Sequence, residues 1–163
     1  MELLDVYDAQ RRRTGRIIAR GEAPGDDGYL LVAHVCLLNA RGEMLIQRRQ
    51  PWKDRYPDCW DVSAGGFVRS GESAAQAASR ELREELGLSL QASELTFLLT
   101  ASFSYVLDDF YLARADQAAA EFRPQPEEVA AVKWAGWPEV ERLLRAGAFV
   151  DYDSALLRRI FRA

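Results

Sequence analysis

Residues 66–88 read GFVRSGESAAQAASRELREELGL, and this stretch decides how the chain is organised. Its glycines predict a turn, and the small and charged residues after them predict a helix over residues 73–86. Helix positions three and four residues apart share a face, so Glu81, Glu84 and Glu85 should converge. Oxygen-rich clusters of this kind suit hard divalent cations, Mg2+ above all. The stretch therefore predicts a cation-binding helix, with a solvated acidic helix face as the alternative.

Residue identities at fixed offsets extend well beyond the glutamates. They are Gly66, Glu72, Arg80, Glu81, Glu84, Glu85 and Gly87, with aliphatic Leu82 and Leu88. This pattern resembles the Nudix box, G-x5-E-x7-R-E-U-x-E-E-x-G-U with U aliphatic, at every defined position. The resemblance implies a hydrolase of diphosphates that uses Mg2+, with Mn2+ as a substitute. It is specific for the metal chemistry and says little about the group attached to the diphosphate.

The resemblance also assigns roles in metal binding and catalysis. It makes Glu81, Glu84 and Glu85 the metal ligands, and it makes Glu84 and Glu85 candidates to orient or deprotonate the attacking water. The carbonyl of Gly65 is an additional candidate ligand, because hard cations accept backbone oxygens. Neighbouring carboxylates titrate as a coupled set, so the sequence does not choose a general base.

Three further positions fit a supporting role in the family pattern. Arg80 would brace the loop and helix through charged hydrogen bonds, Glu72 would orient the site, and Gly66 would let the backbone approach the metal closely. For Glu72 and Arg80 the alternative is a plain helix cap or a surface salt bridge.

Many Nudix enzymes add an acidic residue from a later loop. Glu128 matches that position in PQPEEVAAVKW, six residues before Trp134, and we assign it a catalytic role. Glu127 is the alternative residue, and the competing interpretation is that both are solvated loop glutamates.

Residues 47–60, QRRQPWKDRYPDCW, mix cations with aromatic rings. Cations suit phosphates and rings suit a stacked base or an apolar tail, so we expect a substrate edge with Arg48 and Arg49 as contacts. Phe67 is a third candidate for substrate binding. The alternative is a loop with solvated charges. His34, the only histidine, alternates within a β run, and we expect it to be structural rather than catalytic.

Residues 30–66 are also similar to the superfamily branch that contains isopentenyl-diphosphate isomerase and its hydrolase-like relatives. That isomerase protonates an alkene with a cysteine in a C-G-H motif and has a histidine-rich metal site. The corresponding positions here are Gly65 and Phe67, so hydrolysis is favoured. The alternative from another class is a nucleotide-binding domain without activity, which would be expected to lack box glutamates; none is missing.

Composition narrows the function classes further. The chain has 163 residues and a net charge of −4, which argues against broad binding to nucleic acid and disfavours mRNA decapping. Cys36 and Cys59 have no metal-ligand spacing. The acidic N-terminus lacks the apolar region of a signal peptide, and no run approaches a membrane span, so a cytoplasmic protein without membrane association is expected. The partner would be a small-molecule diphosphate, and homodimers are common in the resembled family.

Strand and helix signals intermix along the chain, which predicts an α/β (α+β) fold; the resemblance makes it an α/β/α sandwich with a central mixed sheet. Residues 1–163 should form one domain, with an N-terminal hairpin and loop at 1–28, a catalytic core at 29–136 and C-terminal helices at 137–163. We expect strands at 3–7, 16–19, 29–38, 43–48, 60–63, 95–105, 110–113 and 129–134, turns at 8–15 and 107–109, and helices at 73–86, 138–145 and 155–162.

Overall fold

The computed structural model describes all 163 residues and contains nine strands and three helices. The strands are β1 Leu3–Tyr7, β2 Arg13–Ala19, β3 Leu30–Leu38, β4 Met44–Arg49, β5 Trp60–Asp61, β6 Ala64–Phe67, β7 Thr96–Phe103, β8 Val106–Arg114 and β9 Val129–Ala135. The helices are α1 Ala74–Leu86, α2 Trp137–Arg145 and α3 Ser154–Phe161. None of the three is long and apolar enough to cross a membrane.

Seven strands form a central mixed sheet that forks. The main path runs β5-β4-β3-β8-β7, with β3 and β8 parallel and the remaining pairs antiparallel. Strands β3 and β4 meet at Leu38 and Met44. Along its other half β3 pairs with β6, while β4 pairs with β5. The short strands β5 and β6 therefore fill the fork, and the candidate site lies beside them.

Helices cover both faces of this sheet, so the predicted α/β/α sandwich with a mixed sheet is confirmed. Alternate residues of β3 explain the layering: Val35 and Leu37 pack with α1, whereas Cys36 and Leu38 pack with α2 and α3. Strands buried on both faces read as continuous apolar runs, as β3 does.

Strands β1 and β2 form a separate antiparallel hairpin, as expected, but its turn is shorter than residues 8–15. The Asp8 carboxylate accepts hydrogen bonds from the backbone N–H groups of Gln10 and Arg12, both at 2.9 Å, which tightens the turn so that β2 begins at Arg13. Arg11 at the tip has a positive φ of 62°.

The hairpin is fastened to the rest of the chain at both ends. Arg11 donates through Nε to both oxygens of Asp109 at 2.9 and 3.0 Å, and Asp109 is fully buried. The carboxylate of Asp5 accepts from Ser70 Oγ and from the backbone N–H of Gly71, both at 3.0 Å. The second attachment holds the loop that leads into α1.

Two turn assignments from the sequence were wrong. Gly66, expected in a turn before the helix, lies in β6 together with Gly65, and the two pair with Ala33 and His34 respectively. Residues 107–109 lie inside β8, and the chain reverses at residues 104–105 instead. The acidic pair in β8 looked like a turn because aspartate favours turns; here both carboxylates find partners far away in the sequence.

Candidate active site

Helix α1 starts and stops at local signals that fix its position in the fork. The Ser73 side chain accepts from the N–H of Gln76, and the Gln76 side chain returns the bond in a capping box. Gly87 ends the helix in the left-handed conformation with φ 69°. Leu82 and Leu86 are fully buried on the sheet, so the glutamates line the side that faces the fork.

Arg80 connects the loop before the helix to the glutamates on it. Its guanidinium donates to both oxygens of Glu72 at 2.9 and 3.0 Å and to the carbonyl of Phe67 at 3.1 Å. It also donates to Glu81 at 2.5 Å and Glu84 at 3.3 Å. Burial lowers the pKa of Arg80, but the hydrogen bonds and charges of Glu72 and Glu81 outweigh burial and raise it. Arg80 is therefore a permanently charged brace.

Glu85 is the most deeply placed carboxylate of the helix, with 8% of the residue exposed. Its Oε2 accepts from Gln47 Nε2 of β4 at 2.8 Å and from the N–H of Gly65 of β6 at 3.1 Å. Burial, followed by the neighbouring charge of Glu81, raises the pKa of Glu85 to about 8. One oxygen of Glu85 thus joins the helix to both arms of the forked sheet.

The three expected metal ligands lie together but do not form a closed cluster in this conformation. No group of three His, Cys, Asp or Glu side chains takes up a metal-holding arrangement. Arg80 lies between Glu81 and Glu84, and Glu85 is held on the strands. The three glutamates therefore lie on one face of the helix, as predicted, but their side chains do not point to a common centre.

A divalent cation fits this donor set. Burial raises the pKa of Glu81, as it does that of Glu85, because their charged forms lose contact with water. Glu84 lies at the opening, with 38% of its side chain exposed. Carboxylate oxygens with an unmet need for positive charge are the ligands of hard cations. Residues Glu81, Glu84 and Glu85 would hold the ion.

The glycine pair in β6 is required by close approach rather than by backbone conformation. A Cβ at Gly66 would lie 2.2 Å from Oε1 of Glu81, on the α1 face of the strand. A Cβ at Gly65 would lie 2.6 Å from Nδ1 of His34, on the other face. Side chains at both positions would displace the groups that flank the site.

A cavity of about 600 Å³ opens beside these residues. Its lining includes the three glutamates of α1, both glycines of β6 and five cations, namely Arg20, Arg49, Lys53, Arg55 and Arg69. Arg69 lies 3.9 Å from Glu84, and the other cations lie elsewhere in the same lining, so the cavity offers cations for phosphate groups together with carboxylates for a metal ion.

The predicted substrate contacts divide between the cavity and the surface. Arg49 lines the cavity and donates to Asp61 at 3.2 Å, whereas Arg48 points to the opposite face of β4 and pairs with Asp58. Phe67 lines the cavity beneath the guanidinium of Arg20, 5.3 Å from its ring centre.

Glu128, the expected additional acid, also lines the cavity, where it forms an ion pair with Lys53. Trp52 Nε1 donates to the carbonyl of Glu127 at 3.3 Å, and Gln50 Nε2 donates to that of Pro126 at 2.6 Å. These bonds fasten the loop at 50–58 over the loop that carries Glu128.

Several cavity residues were not foreseen from the sequence. Gln47, Asp61, Asp108 and Tyr152 line the site or bond its glutamates, and His34, expected to be structural, also lines the cavity. Tyr152 and Arg20 lie outside the predicted catalytic core at 29–136. The sequence offered two signals for this part of the site: the single histidine, His34, and the adjacent aspartates Asp108 and Asp109, all within runs of β-forming residues.

Comparison with known proteins agrees with this geometry. The NUDIX domain profile matches residues 28–157. The chain belongs to the Nudix family. A Nudix hydrolase of Listeria monocytogenes is 38% identical over 154 residues, covering 93% of this chain and 90% of that one. A Deinococcus radiodurans crystal structure superposes with a TM-score of 0.78 and 29% identity, covering 97% of this chain and 98% of that one.

The branch resemblance is also confirmed. An isopentenyl-diphosphate Delta-isomerase of Halorhodospira halophila is 30% identical over 146 residues, covering 83% of this chain and 80% of that one. The full-length similarity to proteins named as hydrolases identifies the chain as a Nudix hydrolase. Nudix hydrolases generally use divalent metal ions.

Proposed function

We propose that this Nudix hydrolase cleaves a phosphoanhydride bond in a small nucleoside diphosphate-linked or other diphosphate compound, with Mg2+ as the cation and Mn2+ as a substitute. The observation that carries the proposal is the placement of Glu81, Glu84 and Glu85 at one cavity opening with five cations around it. Hydrolysis of a diphosphate requires neutralised phosphoryl charge and a water placed in line, and this opening provides groups for both.

The cations and carboxylates that line the cavity suggest which step of the reaction each of the chain's own residues serves. Arg49 and Lys53 are placed to bind phosphoryl oxygens, and Arg55 has no ion pair to give up when it does so. A bound divalent cation would neutralise further charge and acidify the attacking water. Glu84 and Glu85 are the candidates to orient that water and accept its proton, as oxygen attacks phosphorus and the bridging P–O bond breaks.

Lys53 links the substrate side to Glu128. Because its ammonium group pairs with the Glu128 carboxylate, a phosphate that binds Lys53 would compete for it and free Glu128 to face the cavity. This supports the catalytic assignment of Glu128 over that of Glu127, whose side chain is exposed outside the cavity lining.

The test is a panel assay with Mg2+ that compares the wild type with Glu84→Gln. The panel contains nucleoside di- and triphosphates, ADP-ribose, nucleotide sugars, dinucleoside polyphosphates, coenzyme A and isopentenyl diphosphate, with products separated to identify the broken bond. A substrate whose hydrolysis the substitution abolishes supports the proposal. Binding of one compound without turnover in the wild type would instead support a binding domain.

Isomerase activity is the second candidate because of the relative named as an isomerase. The alkene-protonating cysteine has no counterpart at Gly65, and a Cβ there would lie 2.6 Å from His34 Nδ1. We expect Gly65→Cys combined with Phe67→His to show no isomerisation of isopentenyl diphosphate. Detection of dimethylallyl diphosphate from that double variant would show that less of the isomerase site is missing than we infer.

The remaining partner assignments follow from the family and from charge. Neither nucleic acid nor membrane is proposed as a partner of this acidic chain. A homodimer stays a prediction, and light scattering at several concentrations would test it.

A further inference from the structure

The cavity has a second polar wall, distinct from the glutamates of α1. We call it the histidine wall, and it consists of His34, Asp61, Asp108 and Tyr152. Gly65 and Gly66 show where it lies: the side of β6 at Gly65 faces His34, and the side at Gly66 faces Glu81. The histidine wall and the metal-binding glutamates therefore occupy opposite faces of β6 within one cavity.

Hydrogen bonds and stacking hold the histidine wall in place. His34 Nε2 lies 2.8 Å from Asp108 Oδ1, so Nε2 carries the proton that is donated to the carboxylate. The imidazole stacks on Phe110 with ring centres 4.8 Å apart and planes 20° apart. His34 belongs to β3, and Asp108 and Phe110 belong to β8. The pairing of these two strands fixes the positions of the three residues relative to one another. Asp108 is thus oriented before any ligand arrives.

The two carboxylates of the wall differ in their free capacity to accept hydrogen bonds. Asp61 has protein donors on both oxygens: Oδ1 accepts from the Tyr152 hydroxyl and the Val62 N–H, both at 2.8 Å, and Oδ2 accepts from Arg49 at 3.2 Å. Asp108 receives a bond from His34 on Oδ1, and no protein donor reaches its Oδ2. Its side chain is 17% exposed, to the cavity that it lines.

We propose that Asp108 is a specificity-determining residue that accepts a hydrogen bond from an N–H or O–H group of the organic part of the substrate, with His34 as its positioning residue. The inference rests on the proposed diphosphate hydrolysis and narrows its substrate class. The ligand is a diphosphate whose organic part carries hydrogen-bond donors, such as a nucleobase or a sugar, rather than a hydrocarbon tail.

Cavity size and desolvation support this class. The volume of about 600 Å³ is ordinary for a small-molecule site and has room for a nucleotide-sized ligand. A hydrocarbon tail against Asp108 would remove water from a carboxylate oxygen without replacing its hydrogen bond, which is unfavourable. Sites built around a buried polar group discriminate strongly against analogues that lack the matching donor.

The experiment measures binding with Mg2+ in a Glu84→Gln background, so that ligands are not consumed. Isothermal titration compares ADP, CDP and UDP with inorganic pyrophosphate and isopentenyl diphosphate, which have no donor on an organic part. We expect at least one nucleoside diphosphate to bind about tenfold or more tightly than both controls. Asp108→Ala should remove that advantage and leave pyrophosphate binding within about twofold.

Matched variants separate recognition from general effects of charge and folding. Asp151→Asn removes an exposed carboxylate from the same cavity lining and should keep the preference. His34→Gln keeps an N–H donor for Asp108 and should preserve the preference, whereas His34→Leu should lose it. Circular dichroism checks the fold of each variant, and the glutamine variant keeps the test valid if the leucine variant does not fold.

Three results would overturn the inference: tightest binding by isopentenyl diphosphate, absence of any nucleoside preference, or an equal change for every ligand in Asp108→Ala. The last result would indicate a purely electrostatic effect. Failure of the proposed function looks different, because it appears as tight binding of a nucleoside diphosphate that the wild type with Mg2+ does not hydrolyse.

Discussion

Replacing Glu85 by glutamine should stabilise the metal-free protein while it disables the enzyme. Glutamine is isosteric, and its carbonyl oxygen can still accept from Gln47 and from the N–H of Gly65. The substitution therefore removes the buried charge and leaves the packing intact. A buried carboxylate such as Glu85, whose charge opposes folding, is expected where that charge is needed for metal binding or catalysis.

The size and sign of the effect follow from the pKa of Glu85. Its pKa is about 8 in the fold, because of burial and of Glu81, against 4.5 for the free side chain. Since the folded state binds the extra proton, Glu85 does not lower the free energy of unfolding below pH 4.5. The free energy of unfolding then falls as the pH rises from 4.5 through about 8. At about 1.4 kcal/mol per pH unit the ceiling is about 5 kcal/mol, and water entry should reduce the effect to about 2 kcal/mol.

The assay is thermal unfolding of EDTA-treated protein between about pH 5 and pH 8.5. The two proteins should have similar Tm values at the acidic end, and Glu85→Gln should melt about 4–8 °C higher at the alkaline end. Added Mg2+ should raise the Tm of the wild type more than that of the variant. With substrate, kcat should fall about 100-fold or more.

A substitution at a more exposed carboxylate serves as the control for removing one negative charge. Glu141→Gln removes a more exposed carboxylate from α2, and its Tm should follow the wild type across the pH range. If Glu85→Gln and the wild type lose stability in parallel from acidic to alkaline pH, Glu85 carries no penalised charge and the argument for a cation at this place fails.

Further substitutions test the other parts of the structure. Glu84→Gln should lower kcat by about 100-fold or more with a nearly unchanged urea midpoint, because 38% of this side chain is exposed and its contact with Arg80 is long, at 3.3 Å; near-normal turnover would remove it from the site. Gly66→Ala should fold but lower kcat at least about tenfold and weaken Mg2+ binding, since its Cβ would displace the Glu81 carboxylate; unchanged titration with Mg2+ would contradict this. Arg11→Ala should lower the free energy of unfolding by about 2–4 kcal/mol in urea, because it leaves the buried Asp109 without its counter-charge; a loss below about 0.5 kcal/mol would show that water replaces the guanidinium.

Local signals explain why helix α1 could be predicted almost to the residue. A serine that caps the first turn and a glycine that ends the last lie within the helix sequence itself, and the predicted range 73–86 differs from Ala74–Leu86 by the capping residue alone. The glutamate positions follow from the helical repeat. Their orientation does not, because it depends on Gln47 and Gly65, which arrive from separate strands.

Errors arose where long-range partners decide the local structure. Asp108 and Asp109 resemble turn residues until His34 and Arg11 are seen to bond them within a strand. The glycine pair in β6 likewise resembles a turn until the side chains that press on each face are known. The histidine wall joins residues as many as 118 positions apart, a separation that neither periodicity nor a motif can detect.

The attachment of the N-terminal hairpin changes where the smallest working fragment of this enzyme begins. The family match starts at residue 28, yet the loop that carries Glu72 is clamped from upstream. Asp5 accepts from the N–H of Gly71, and Arg13 donates to the carbonyl of Glu72 at 2.6 Å. A truncation at the family boundary would release this clamp, so engineered chimaeras and shortened versions should keep both hairpin strands.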